Sequence, residues 1–172
     1  MAASLLKKSP KVSSSRHLLT IIRRQGHGGQ SACKSYNRVM PVVSVTRLRV
    51  RSWRYLPPFL FHAIRSFRQA KSSSGNLAAS LLRDADKTFW TRTVWTTESS
   101  MKSFMVAGPH RQVMRRLLEW CDEAALVHWE QEHGREPEWQ EAHRKLLAEG
   151  RRSKVNHPSS AHSGFQIRPP KF

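Results

Sequence analysis

The stretch Thr88-Phe89-Trp90-Thr91-Arg92-Thr93-Val94-Trp95 alternates along its whole length. In an extended chain Phe89, Thr91, Thr93 and Trp95 fall on one side, and Trp90, Arg92 and Val94 on the other. β-Branched and aromatic residues suit a pleated, half-buried surface, so this stretch is expected to be a strand. Just beyond it, Thr97 is placed to cap a helix, and Glu98 lies in the first turn, where the helix dipole favours an acid. Met101, Phe104 and Met105 mark the apolar side of that helix. Gly108-Pro109 then breaks the run, and proline suits the first position of a new helix. Val113, Met114, Leu117, Cys121 and Ala124 share one face, which predicts a second helix up to Ala125. A final strand over residues 126–131 is expected after it. Residues 88–131 hold four of the six tryptophans: Trp90, Trp95, Trp120 and Trp129.

His110 belongs to the apolar stripe of the second helix, so it points inward at a helix start. The dipole there disfavours an imidazolium. A neutral inward imidazole can ligate a metal or accept a proton. It can equally be a core histidine satisfied by a backbone carbonyl.

Upstream, residues 42–52 alternate as a first strand. Pro57-Pro58 opens a helix in which Leu56, Phe59, Leu60, Ala63, Ile64, Phe67 and Ala70 keep the helical spacing. His62, Arg65, Arg68 and Lys71 lie on its opposite face, as a solvated surface or an anion-binding rim. Ser72-Ser73-Ser74-Gly75 ends that helix, and residues 77–83 read as a second strand of mostly small residues. Asp84-Ala85-Asp86-Lys87 is expected to turn the chain into the Thr88 strand, with both aspartates solvated. After Glu136-Pro137 a last helix is expected, with Trp139, Ala142, His143, Leu146 and Leu147 inward. The order strand, helix, strand, strand, helix, strand is that of a ferredoxin-like α+β fold, here with an extra C-terminal helix. Such a sheet carries its helices on one face and leaves the other to a partner or a ligand.

The sequence has 172 residues and a formal charge of +18. Residues 1–39 hold eight basic residues and no acid, so much of the charge belongs to the leader. Its apolar run, Leu18 to Ile22, is too short for a secretory signal. Residues 1–40 are expected to be a disordered basic leader or an organellar transit-like extension, residues 41–149 the domain, and residues 150–172 a flexible basic tail. A cytoplasmic location is expected, or an organelle if the leader is a transit peptide. No apolar run approaches the roughly 20 residues of a membrane helix. Cys33 and Cys121 are expected to be free thiols, with no zinc spacing around either. The Gly-x-Ser-x-Gly elbow, the Gly-x-Gly-x-x-Gly fingerprint and the P-loop are all missing.

The block from Val43 to Gln131 resembles the dimeric α+β barrel superfamily, which includes antibiotic-biosynthesis-monooxygenase-like and spheroidene-monooxygenase-like proteins. The matching features are Thr-Val-Trp-Thr-Thr-Glu at 93–98, Ser103-Phe104 and Gly108-Pro109-His110-Arg111. The nearest likeness is to a bacterial subgroup of unassigned function. The resemblance implies a homodimeric barrel and a monooxygenase acting on an apolar small molecule, a polyene or an aromatic. It implies His110 as acid/base residue or as haem-iron ligand. Trp90, Trp95 and Phe104 are then pocket walls, and Arg65 and Arg83 polar anchors. The asparagine of haem-degrading members is absent; Ser44 and Thr46 stand on that strand. Haem and a cofactor-independent pocket therefore both remain open. Two other readings stand beside this one: an RNA-binding ferredoxin-like module, and a non-catalytic dimerisation or ligand-binding domain. The former lacks the glycine-containing aromatic motif expected on the third strand, so nucleic acid is not the expected partner.

Overall fold

A computed structural model describes residues 40–171. The expected leader, with Cys33, lies outside the described residues. The elements are β1 (Val42–Val50), a 3₁₀ turn (Trp53–Tyr55), α1 (Leu56–Ser72), β2 (Asn76–Arg83), β3 (Thr88–Trp95), α2 (Glu98–Met105), α3 (Gly108–Trp120), β4 (Cys121–Glu130), α4 (Trp139–Glu149), β5 (Arg151–Arg152) and α5 (Ser160–Ser163). The strands form one sheet in the order β2-β3-β1-β4-β5, and every pairing is antiparallel. This is the ferredoxin-like α+β fold, with β5 added at one edge.

Alternation along β1 divides the core in two. Val42 and Val50 face the helical layer, where Val42 packs with Ala70, Trp95 and Met101, and Val50 with Phe59, Val113 and Trp120. Val43 and Val45 face the other way and pack with Trp90, Val94, Ala125 and Val127. Ala142 and Leu146 of α4 close over that second cluster, and Phe165 and Ile167 pack against it. Arg92 holds the segment before α4: its Nη2 lies 3.0 Å from Glu136 Oε2, and its guanidinium stacks 4.1 Å from the centre of the Trp139 ring.

Three expectations are corrected here. The second helix stops at Trp120, and Cys121 to Ala125 begin β4 instead of continuing the helical stripe. The reason is long-range. β4 pairs with β1 through most of its length, and Arg49 meets Asp122 through two hydrogen bonds of 2.9 Å across that ladder. Arg47 and Glu123 form a buried ion pair alongside. Such cross-strand pairing outweighs a local helical period.

Residues 150–171 are also not a loose tail. β5 pairs with β4 at Ala125 and Leu126, Ser159 Oγ donates to Glu123 Oε1 at 3.1 Å, and Phe165 and Ile167 reach the core. It follows that the face expected to await a second copy is covered by the chain's own α4 and C-terminal segment. A barrel dimer built through that face would first have to displace them. Trp90 is fully buried there, so β3 offers no open aromatic platform for RNA.

Smaller departures follow from the same packing. Leu147 is exposed rather than inward. Asp84 is not free in solvent: its carboxylate accepts from Trp90 Nε1 at 3.1 Å and from the Lys171 amide at 3.1 Å. The turn itself is as expected, with Asp86 and Lys87 both at positive φ, as a tight hairpin requires.

Two substitutions probe this cover. Leu146→Ala should cost about 2–5 kcal/mol, measured by denaturant unfolding. Glu123→Ala should cost about 3–5 kcal/mol, because it strands the buried Arg47 guanidinium; Lys145→Ala, on an exposed helix pair, should change stability by under about 0.5 kcal/mol.

Candidate functional site

The site grows from the break between α2 and α3. Thr97 caps α2, its Oγ1 accepting from the Ser100 amide at 3.1 Å. Gly108 sits at φ +48°, a left-handed conformation that glycine adopts without strain. A Cβ there would also meet the Gln69 side chain at 3.2 Å. Gln69, from α1, ties the break together. Its Nε2 donates to Phe104 O at 3.3 Å and Ala107 O at 3.0 Å, and its Oε1 accepts from the His110 amide at 2.9 Å. One amide side chain thus satisfies the His110 amide, which the broken helix would leave unpaired, and adds a second bond to two carbonyls that already accept from the Ala107 and Arg111 amides.

This clamp aligns an aromatic column. Trp95, fully buried at the end of β3, lies 5.1 Å from Phe104 in a stacked arrangement; Phe104 lies 4.6 Å from the His110 ring, tilted by 51°. Trp95 Nε1 donates to Thr93 Oγ1 at 2.8 Å, so the indole is satisfied without a ligand. His110 Nδ1 is 3.1 Å from Met105 O. A carbonyl only accepts, so Nδ1 carries the proton and Nε2 keeps a free lone pair. Burial holds the His110 pKa below its ordinary value, opposed only by the Met105 hydrogen bond. The imidazole is therefore neutral at neutral pH.

Two adjoining cavities meet at this column. One, of about 360 Å³, lies between α1, α3 and the β2–β3 side of the sheet, with Leu60, Ala63, Ile64, Phe67 and Leu81 among its walls. The other, of about 240 Å³, lies over β1 and β4, with Ser44, Thr46, Met101, Leu126 and His128 among its walls. Leu48, Thr93, Phe104, His110 and Leu117 line both. Ser66 lines the larger cavity, and its buried Oγ has no partner among the described residues. In the smaller one, burial also lowers the His128 pKa, with Arg151 acting in the same direction.

The expected site residues divide accordingly. His110, Trp95 and Phe104 come together, and Arg83 lines the larger cavity on β2. Trp90 does not join them. It points to the opposite face and packs edge-on to His143, 6.2 Å away, because neighbours on a strand alternate. Arg65 is exposed on α1, lying over the Phe61 ring, and does not reach either cavity. Gln69, Ser66 and His128 were missed as site residues. Ser66 and Gln69 sit on the α1 flank that meets α3, between the apolar and basic faces. Only the packing of two helices shows that this flank is buried.

The arrangement gives haem no support. Phe104, Leu117 and Leu48 line both cavities, of about 360 and about 240 Å³. Of the two arginines expected as carboxylate anchors, only Arg83 borders the space. Among the described residues, no three His, Cys, Asp or Glu side chains gather into a metal site. Cys121 is buried and free, its thiol pushed up to about 12 by burial, and it is not a nucleophile at neutral pH.

Strand order and cavity together define a ferredoxin-like domain with a hollow beneath its helices. The family described as Domain of unknown function (DUF3291) matches residues 64–165, and the chain belongs to that family. Among curated proteins, none matches it. Three solved structures are similar to it. SnoaB, a cofactor-independent oxygenase from Streptomyces nogalater, shares 18% identity at a TM-score of 0.42, over 57% of this chain and 96% of its own. A conserved protein from Methanosarcina mazei Go1 shares 12% at 0.48, over 54% and 93%. A protein of unknown function from Nitrosomonas europaea shares 13% at 0.49, over 59% and 98%.

Gln69→Leu should cost about 1–3 kcal/mol in unfolding free energy, since it leaves the part-buried His110 amide without its partner. A second test uses pH. The unfolded His110 takes up a proton near the ordinary histidine value of 6.5, the folded one only at lower pH. Between those two values the unfolded state binds more protons, so stability falls as pH falls through that window. Tm measured from about pH 7 to about pH 5 should therefore decline, and His110→Gln should make that decline shallower.

Proposed function

We propose that this chain is a monooxygenase-like protein that holds an apolar, electron-rich small molecule, an aromatic or a polyene, between α1, α3 and the sheet. The observation that carries the reading is the neutral His110 imidazole, half-buried beside Phe104 and bordering an apolar cavity. About 360 Å³ lies within the range of small-molecule sites, roughly 300–1,000 Å³. The mix of apolar walls and a few polar groups is also that of a ligand pocket: Ser66 Oγ supplies an unused hydroxyl and Arg83 a cation.

The chemistry follows from the tautomer. With Nδ1 fixed by Met105, Nε2 is the proton acceptor. A substrate with an ionisable hydroxyl or an activated C–H would give its proton to Nε2, and the resulting anion is the electron donor to dioxygen. Electrons and protons then all come from the substrate, with one oxygen atom entering the product and the other leaving as water. Water exclusion by Trp95, Phe104 and the aliphatic walls favours the neutral imidazole that the step requires. Haem is no part of this reading. The walls of both cavities come from one chain, so a homodimer would be an assembly of complete pockets.

The test pairs binding with turnover. Hydroxynaphthalenes should quench the tryptophan fluorescence of the protein and drive oxygen uptake. His110→Ala should lower oxygen uptake about 10²-fold or more while changing binding little. Ala63→Phe, which fills the larger cavity, should abolish binding. Binding without oxygen uptake would leave a non-catalytic ligand carrier, and no binding at all would remove the reading.

A further inference from the structure

The outer surface of the helical layer carries a charge pattern that the cavity does not use. α1 contains no acid, and α2 and α3 contain one each, Glu98 and Glu119. Glu98 is paired with Lys102, and Glu119 with Arg51. Against these stand five exposed arginines on α1 and α3: Arg65, Arg68, Arg111, Arg115 and Arg116. An open groove runs between the two helices, walled by His62, Arg111, Arg115 and Arg116. His62 Nδ1 has no partner among the described residues, and the nearby charges of Arg116 and Arg65 add to burial in keeping that ring uncharged.

Apolar side chains stand up within this basic field. Val106, on the groove's wall, is 65% exposed, and Phe61, in edge contact with the His62 ring, is 58% exposed. Leu60 and Ile64, one turn apart on the same helix, are also exposed and form part of the cavity's mouth. Burial in the core explains none of the four. Isolated exposed apolar residues are ordinary, but aliphatic and aromatic side chains ringed by arginines that pair with no acid among the described residues match a membrane surface. There the cations meet headgroup phosphates, and the apolar groups enter the acyl boundary. A nucleic acid would use the same cations but has no place for Val106, Leu60 or Ile64.

We propose that the α1–α3 face docks on an anionic lipid surface, with Arg65, Arg111, Arg115 and Arg116 on headgroup phosphates and Phe61 and Val106 inserted among the lipids. The proposal goes beyond the cavity's chemistry and does not depend on it. It would bring the cavity's mouth, at Leu60 and Ile64, against a phase in which apolar molecules dissolve.

The full chain should be tested by co-sedimentation with vesicles of phosphatidylcholine containing phosphatidylglycerol, and with vesicles of phosphatidylcholine alone. Binding is expected only to the former and should weaken with salt. The triple variant Arg65→Gln, Arg111→Gln, Arg115→Gln should lose roughly fivefold per arginine, about a hundredfold in all. The control Arg144→Gln, Arg151→Gln, Arg168→Gln removes the same charge from other exposed sites and should retain most of the binding. Both sets keep residues 1–39, so the leader's charge cancels from the comparison. Phe61→Ser should weaken vesicle binding while leaving the salt dependence unchanged. Equal losses in the two triple variants, or an unaffected Phe61→Ser, would overturn the proposal. So would tighter binding to single-stranded RNA, lost in the same three arginines, which would make the face a nucleic-acid surface. Vesicle binding that persists in Ala63→Phe would support docking even if the cavity binds nothing.

Discussion

Three hydrogen bonds from one glutamine fix the geometry on which the site depends. Without Gln69, the chain between α2 and α3 would have a left-handed glycine, an unpaired helix-start amide at His110, and two carbonyls held only by single backbone bonds from Ala107 and Arg111. With it, the break becomes a fixed corner, and the two residues that flank the corner, Phe104 and His110, are held ring against ring. The Met105 carbonyl in the same corner then sets the tautomer of His110. A backbone irregularity is thus converted into a defined protonation state.

The two faces of the sheet are stabilised by different means. Beneath α1 and α3 the packing is incomplete, leaving about 360 Å³ and about 240 Å³ of space beside aromatic and aliphatic walls. Beneath α4 it is tight, with Trp90, Val43, Val45 and Leu146 fully buried and the Arg47–Glu123 pair at the margin. The second face can therefore hold the sheet rigid while the first keeps a hollow. Ferredoxin-like sheets need cover on both sides, and here the chain supplies it with residues that follow the last strand of the basic fold.

Most of the fold was legible because local signals and tertiary packing agree. The alternation of Thr88 to Trp95, the paired prolines at the start of α1, the Thr97 cap and the Gly108-Pro109 break each specify an element that forms. Where they disagree, packing prevails. Val113, Leu117 and Cys121 have helical spacing, yet Asp122 and Glu123 are drawn into a ladder with Arg49 and Arg47, and no local pattern encodes a partner more than 70 residues away. The C-terminal segment looked loose for its arginines, prolines and histidines, and only Phe165 and Ile167 betray its burial. Within the site, His110, Trp95 and Phe104 could be read from spacing. Trp90 could have been set aside by the same alternation that placed Trp95. Gln69 and Ser66 could not be found, because a polar residue on a helix flank looks solvated until a second helix covers it.

The sheet has unequal edges. β5 pairs with β4 on one side, whereas β2 pairs only with β3 among the described residues and leaves its outer rim unpaired. That rim belongs to the strand that carries Leu81 and Arg83 at the cavity's entrance. Any strand that extended the sheet at β2 would narrow the doorway as it zipped on, so an addition at this rim would close the hollow from that side.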